Sequence, residues 1–121
     1  MKSKILIVDD EPDVIFFVKK QLEAHGYEVS AASDGAAGLQ KAFEEAPDLI
    51  LLDVVMPHRD GFSVLHELQS AEKTKHIPVI MLTAKAESTA VFQGQELGAA
   101  DYIIKPFDVQ VLLKFIKKYT V

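Results

Sequence analysis

The sequence predicts an open, doubly wound α/β domain: one sheet of five parallel strands wrapped by five helices. Three observations lead there. Five short apolar runs alternate with helical patterns along the chain, and the links between them are short. The runs at 4–9, 48–53 and 78–83 are apolar without alternation, the pattern of central strands covered on both faces.

Each element has its own signal. The run KILIVD (4–9) leads into a helix starting near Pro12, a favoured first-turn residue, and stopping at His25-Gly26. Val14, Phe17, Val18, Gln21 and Leu22 share one face of it. After YEVSAAS (27–33), Asp34 caps a second helix, with Leu39, Ala42, Phe43 and Ala46 expected inward before Pro47 ends it. DLILLD (48–53) precedes a third helix, from about Gly61 to about Ala71, that buries Phe62, Leu65 and Leu68. PVIMLT (78–83) precedes a fourth, about 87–97, that buries Ala90, Gly94 and Leu97 and ends at Gly98. DYIIKP (101–106) precedes the last, from Asp108, with Val109, Leu112, Leu113 and Ile116 inward.

Bulk properties narrow the function. A chain of 121 residues reads as one domain, 1–121, able to bury a substantial core. Its net charge of −5, with no run of lysine or arginine, argues against direct binding to nucleic acid. With no cysteine, there is no disulfide, thiolate metal site or cysteine nucleophile. No apolar run approaches the ~20 residues that span a bilayer, and the N-terminus has no signal-peptide core, so a cytoplasmic protein is expected. His25, His58, His66 and His76 show no metal-ligand spacing.

Open α/β sheets bind ligands beyond the carboxyl ends of their strands, where the strand order reverses. Those ends carry Asp9-Asp10, Asp53, Thr83 and Lys105-Pro106. Taken singly, such an aspartate usually caps a helix, and Asp9, Asp10 and Glu11 would suit the positive end of the first one. Taken together on one rim, three acids, a hydroxyl and an ammonium point to chemistry. Like charges ~5 Å apart repel by about 3 kcal/mol per pair at an effective dielectric near 20. One lysine cannot neutralise three carboxylates, so a divalent cation is implied, and oxygen ligands suit Mg²⁺ or Mn²⁺. Asp53, at the centre, is the candidate nucleophile toward phosphorus, with Thr83 and Lys105 placed to hold phosphoryl oxygens.

ILIVDDE, PDLILLDVVMPHRDG, IPVIMLTA and LGAADYIIKPF carry a resemblance over essentially the full length. The chain resembles the receiver (response-regulator) domains of bacterial two-component signalling, whose fold is the flavodoxin-like, CheY-like (βα)5 arrangement. The resemblance implies that Asp53 accepts a phosphoryl group from the phosphohistidine of a histidine kinase or histidine phosphotransfer protein. It implies Mg²⁺, with Mn²⁺ able to substitute, on Asp10, Asp53 and the Val55 backbone carbonyl, and on Asp9 through water. It also implies a cis Lys105-Pro106 peptide and a switch formed by Thr83 and Tyr102. The chain would then be a signalling phosphoacceptor that catalyses only its own phosphorylation and dephosphorylation.

Two surfaces follow. Val14 and Phe17 match positions that contact the phosphodonor in similar receivers, although both also lie on the first helix's apolar stripe. Phe92, Val111 and Phe115 lie off the inward stripes of the fourth and last helices. They are either scattered surface apolars partly covered by neighbours or a face, shared with the fifth strand, for an effector or for self-association.

Rival classes fit less well. A haloacid-dehalogenase-type phosphohydrolase needs a second acid two residues after its nucleophile, where this chain has Val55. A flavodoxin-like cofactor binder needs a glycine- or hydroxyl-rich loop after the first strand, where DDEPD is acidic. A degenerate receiver would lack some of the five rim residues, all of which are present.

Overall fold

The computed structural model describes residues 2–57, 59–84 and 98–120. Five strands, β1 (Lys4–Val8), β2 (Glu28–Ala32), β3 (Leu49–Asp53), β4 (Val79–Thr83) and β5 (Asp101–Ile104), form one sheet in the order β2-β1-β3-β4-β5. Every pairing is parallel. Helices α1 (Pro12–Ala24), α2 (Gly35–Glu45) and α3 (Gly61–Ser70) follow the first three strands, and a C-terminal helix (Val109–Tyr119) follows β5. The expected helix at 87–97 lies outside the described residues. None of the described helices is long and apolar enough to cross a membrane.

The unbroken apolar strands are explained by the two faces of the sheet. Successive strand side chains point to opposite faces. Leu6 and Val8, Ile50 and Leu52, and Val79 and Met81 pack with Leu39 and Ala42 of α2 and with Val64, Leu65 and Leu68 of α3. Ile5 and Ile7, Leu49 and Leu51, and Ile80 and Leu82 pack on the other side with Val18 and Leu22 of α1 and with Leu112, Leu113 and Ile116 of the C-terminal helix. Both faces are dry, so alternation with polar residues has no place in β1, β3 and β4.

Two expectations for α2 are corrected. Phe43 is 37% exposed, and Ala46 is exposed too. The helix buries Gly35, Gly38, Leu39 and Ala42, a stripe with the i, i+3, i+4, i+7 spacing of one face. Phe43 lies about 90° from the middle of that stripe at 100° per residue. Ala46 has φ 47° and ends the helix in the left-handed conformation, outside the packed turns. Glycine permits the close approach. A Cβ at Gly38 would sit 2.7 Å and 2.8 Å from the Val8 methyl groups.

Candidate functional site

The chain turns back from β2 on one side of β1 to β3 on the other, so the strand order reverses at the β1/β3 junction. Asp9 and Asp53 stand on either side of it. The main chain holds the rim by bonds just past the strand ends: Asp9 N–H donates to Ala32 O (3.1 Å), Val54 N–H to Leu82 O (2.9 Å) and Lys105 N–H to Thr83 O (2.7 Å). Each functional side chain thus starts from sheet rather than from free loop.

The β3–α3 loop closes over the Asp53 backbone. Gly61 N–H donates to Val54 O (2.8 Å), and a Cβ at Gly61 would lie 2.1 Å from the Asp53 carbonyl oxygen. Only glycine permits that contact, a reason for the Asp60-Gly61 pair that periodicity does not reveal. Asp60 itself caps α3, its Oδ1 accepting from Ser63 N–H at 2.8 Å. Met56 is buried in the core, which anchors the loop, while Val55 is 74% exposed.

The acids after β1 are not spent on capping. Asp34, Asp60 and Asp108 each accept a backbone N–H at the start of their helices, whereas Glu11 at the head of α1 makes no side-chain cap bond. Instead Asp9 Oδ1 accepts the Glu11 N–H (2.9 Å), which folds Asp10 and Glu11 around the crevice. Asp9 is fully buried and Asp53 is 4% exposed. Carboxylate oxygens of Asp9, Asp10, Glu11 and Asp53 all lie within 4.8 Å of one another.

Lys105 enters from β5. Its Nζ is 2.8 Å from Asp9 Oδ2, 3.0 Å from Glu11 Oε1 and 3.4 Å from Asp53 Oδ1. The Lys105-Pro106 peptide is cis. Thr83 is 3% exposed at the end of β4, one residue beyond Leu82, which pairs with Asp53. Burial, then the Asp9 charge, push the Asp53 carboxyl up to about 7, against the pull of Lys105. Burial works against the Lys105 ammonium, but the Asp9 and Glu11 contacts and the charges of Asp53 and Asp9 hold it above the ordinary lysine range.

This donor set fits a hard cation. Among the described residues, four carboxylates cluster together and only one ammonium meets them, all the candidate ligands are oxygens, and Asp9 Oδ2 is buried with no hydrogen bond aligned on it. The nearby Lys105 ammonium offers that oxygen charge, but off hydrogen-bond geometry.

A model of the response regulator receiver domain matches residues 5–117. The chain belongs to that family. Among relatives of this receiver domain is the DNA-binding dual master transcriptional regulator RpaA of Synechocystis, 44% identical over 114 residues. That match takes in 94% of this chain but 47% of RpaA, so the receiver domain spans about half the length of that regulator. Among solved structures, the chemotaxis protein CheY4 of Vibrio cholerae superposes with a TM-score of 0.95 at 32% identity, covering 99% of this chain and 100% of that one. The receiver domain of the sensor histidine kinase PA1611 of Pseudomonas aeruginosa has magnesium in its active-site cleft. It superposes at 0.90 with 29% identity, covering 98% of each chain.

The receiver fold thus brings Asp9, Asp10, Asp53 and Lys105 together and sets Thr83 on the same rim. Other expected residues lie apart. Val14 and Phe17 are half-buried and line a groove of about 410 Å³ with Ala84, Pro106 and Phe107, beside Lys105 and Glu11. Tyr102 is half-buried on β5 and packs against the core on the α2/α3 face. Val111 is 39% exposed, Phe115 is half-buried against the opposite core, and Phe92 lies outside the described residues. Glu11, read from the sequence as a helix-end acid, proves to be a partner of Lys105. Its sequence signal is weak, a carboxylate just before the helix-starting Pro12.

Proposed function

We propose that residues 1–121 form one receiver domain in which Asp53 takes a phosphoryl group from the phosphohistidine of a histidine kinase or histidine phosphotransfer protein. The observation that carries this reading is the buried Asp53 carboxylate at a strand end, faced by Lys105 and crowded by three further acids. In the transfer, an Asp53 carboxylate oxygen attacks phosphorus and a P–O bond forms. The P–N bond to the donor imidazole breaks, and its electron pair stays on the nitrogen. The catalysis is mainly positioning and charge neutralisation.

Asp10, Asp53 and the Val55 backbone carbonyl would hold Mg²⁺, or Mn²⁺ in its place, with Asp9 acting through water. Support comes from the oxygen donor set, from the buried Asp9 Oδ2 on which no hydrogen bond is aligned among the described residues, and from the magnesium in the PA1611 cleft. When bound, the cation supplies positive charge against the crowded carboxylates and the arriving phosphoryl oxygens. Thr83 and Lys105 hold those oxygens. The protein acts on no substrate besides its own aspartyl phosphate, which it also hydrolyses.

The donor docks in the groove of Val14 and Phe17, which opens beside Lys105. Phosphorylation draws Thr83 toward the phosphoryl group, and the Tyr102 ring moves inward on the adjacent strand. The altered face, with Ile104 50% exposed and Val111 and Phe115 beside it, meets an effector or a second copy; Phe92 of the fourth helix belongs to the same expected face. It does not bind nucleic acid directly, in keeping with the net charge of −5. The site of action is the cytoplasm.

Incubation with Mg²⁺ and acetyl phosphate, read by intact mass, tests the central claim. The wild type gains the mass of one phosphoryl group and Asp53→Asn gains none. Equal labelling of the two would overturn it.

A further inference from the structure

We infer that Glu11 is a positioning residue that restrains Lys105 in the unphosphorylated protein, so that its charge slows phosphorylation. The inference rests on the phosphoacceptor reading of Asp53. The Lys105 ammonium has three protons to donate and three carboxylates around it. It lies nearer Asp9 (2.8 Å) and Glu11 (3.0 Å) than Asp53 (3.4 Å), drawn toward the β1–α1 side of the crevice. To hold a phosphoryl oxygen on Asp53, it must give up part of that coordination.

The two competitors differ. Both belong to the carboxylate cluster, but Asp9 is fully buried in it, where a divalent cation would take over its charge. Glu11 is exposed (its side chain is 59% accessible), and it makes no cap bond to α1. Its backbone is nonetheless held, by the Asp9 Oδ1 bond to its N–H and by Pro12 immediately after it. The carboxylate is therefore anchored within reach of Lys105, at the exposed edge of the cluster, and is left as the competitor once the Asp9 charge is neutralised. An ion pair this exposed is weak enough to yield to a phosphoryl group, and its effect on rate is correspondingly modest.

The test is the rate of Asp53 phosphorylation at subsaturating acetyl phosphate and saturating Mg²⁺, for wild type and Glu11→Gln. The variant is expected to react about two- to fivefold faster, the range an exposed ion pair carries. Screening should bring the ratio toward one in molar salt. In a Lys105→Met background, Glu11→Gln should give no acceleration, since the pair is already broken. An unchanged or slower Glu11→Gln, a ratio indifferent to salt, or an equal acceleration without Lys105 would each overturn the inference. Slower labelling with weaker Mg²⁺ binding by calorimetry would make Glu11 a cation ligand, and would also overturn it. Failure of the wild type to label at all would instead count against the phosphoacceptor reading.

Discussion

The Asp53 carboxyl sits in an environment far from that of a free side chain. Burial and the neighbouring Asp9 raise its folded-state carboxyl to about 7, while in the unfolded chain it titrates near 3.8. For an acid shifted this way, stability is greatest below the unfolded value. It falls as pH rises between the two values and levels off above the folded one. In the cation-free protein, Asp53→Asn should therefore raise Tm by an amount that grows from pH 4 to pH 7 and is constant beyond. Calorimetry in chelator across that range would check it. A gain that shrank with rising pH would contradict the environment described. The same scale explains why Asp9 and Glu11 are not interchangeable with Asp34, Asp60 or Asp108. The latter three spend their oxygens on helix N–H groups, while the acids ahead of α1 face the crevice.

Among the elements, α2 shows how packing distance bears on the site. Gly38 lets the helix rest on Val8, the residue before Asp9, so closely that a methyl group there would meet both Val8 methyls inside 3 Å. Val8 is 1% exposed and β-branched, with little freedom to rotate away. Gly38→Ala gains about 1 kcal/mol of helix propensity. Overpacking should cost about 1–3 kcal/mol, so the net expectation is a small loss, a fall of a few degrees in Tm. Because the strain falls on the strand end, phosphorylation by acetyl phosphate should slow as well. A stabilised variant with an unaltered rate would show that α2 has room to shift without disturbing β1.

For the whole molecule, the determining feature is charge concentrated where the strand order reverses. Four carboxylates share a crevice with one lysine in a chain that is already net negative. Without a divalent cation, relieving one charge should help the fold. Asp10→Asn is expected to raise Tm in chelator, and Mg²⁺ should raise the wild-type Tm more than that of the variant. A clear drop for Asp10→Asn in chelator would mean that these acids support the fold rather than strain it. The sheet can hold this cluster because its neighbours are rigid. β1, β3 and β4 are buried on both faces, and backbone bonds extend their order past the last strand residues.

Much of this was legible in the sequence because it depends on near neighbours in the chain. Unbroken apolar runs specify doubly covered strands, Asp34 and Asp108 specify helix starts, and the motif acids and lysine mark the strand ends. The same local reading misjudged Phe43 and Ala46, since the width of a helix's buried face depends on how closely the sheet approaches it. Gly61 against the Asp53 carbonyl, and Lys105 shared with a Glu11 that lies 94 residues away, were also beyond it. Sequence alone determined the elements, their order and the chemistry available at the rim. Tertiary structure decided which charges touch, because ångström-scale contacts between distant segments exist only once the sheet has brought their ends together.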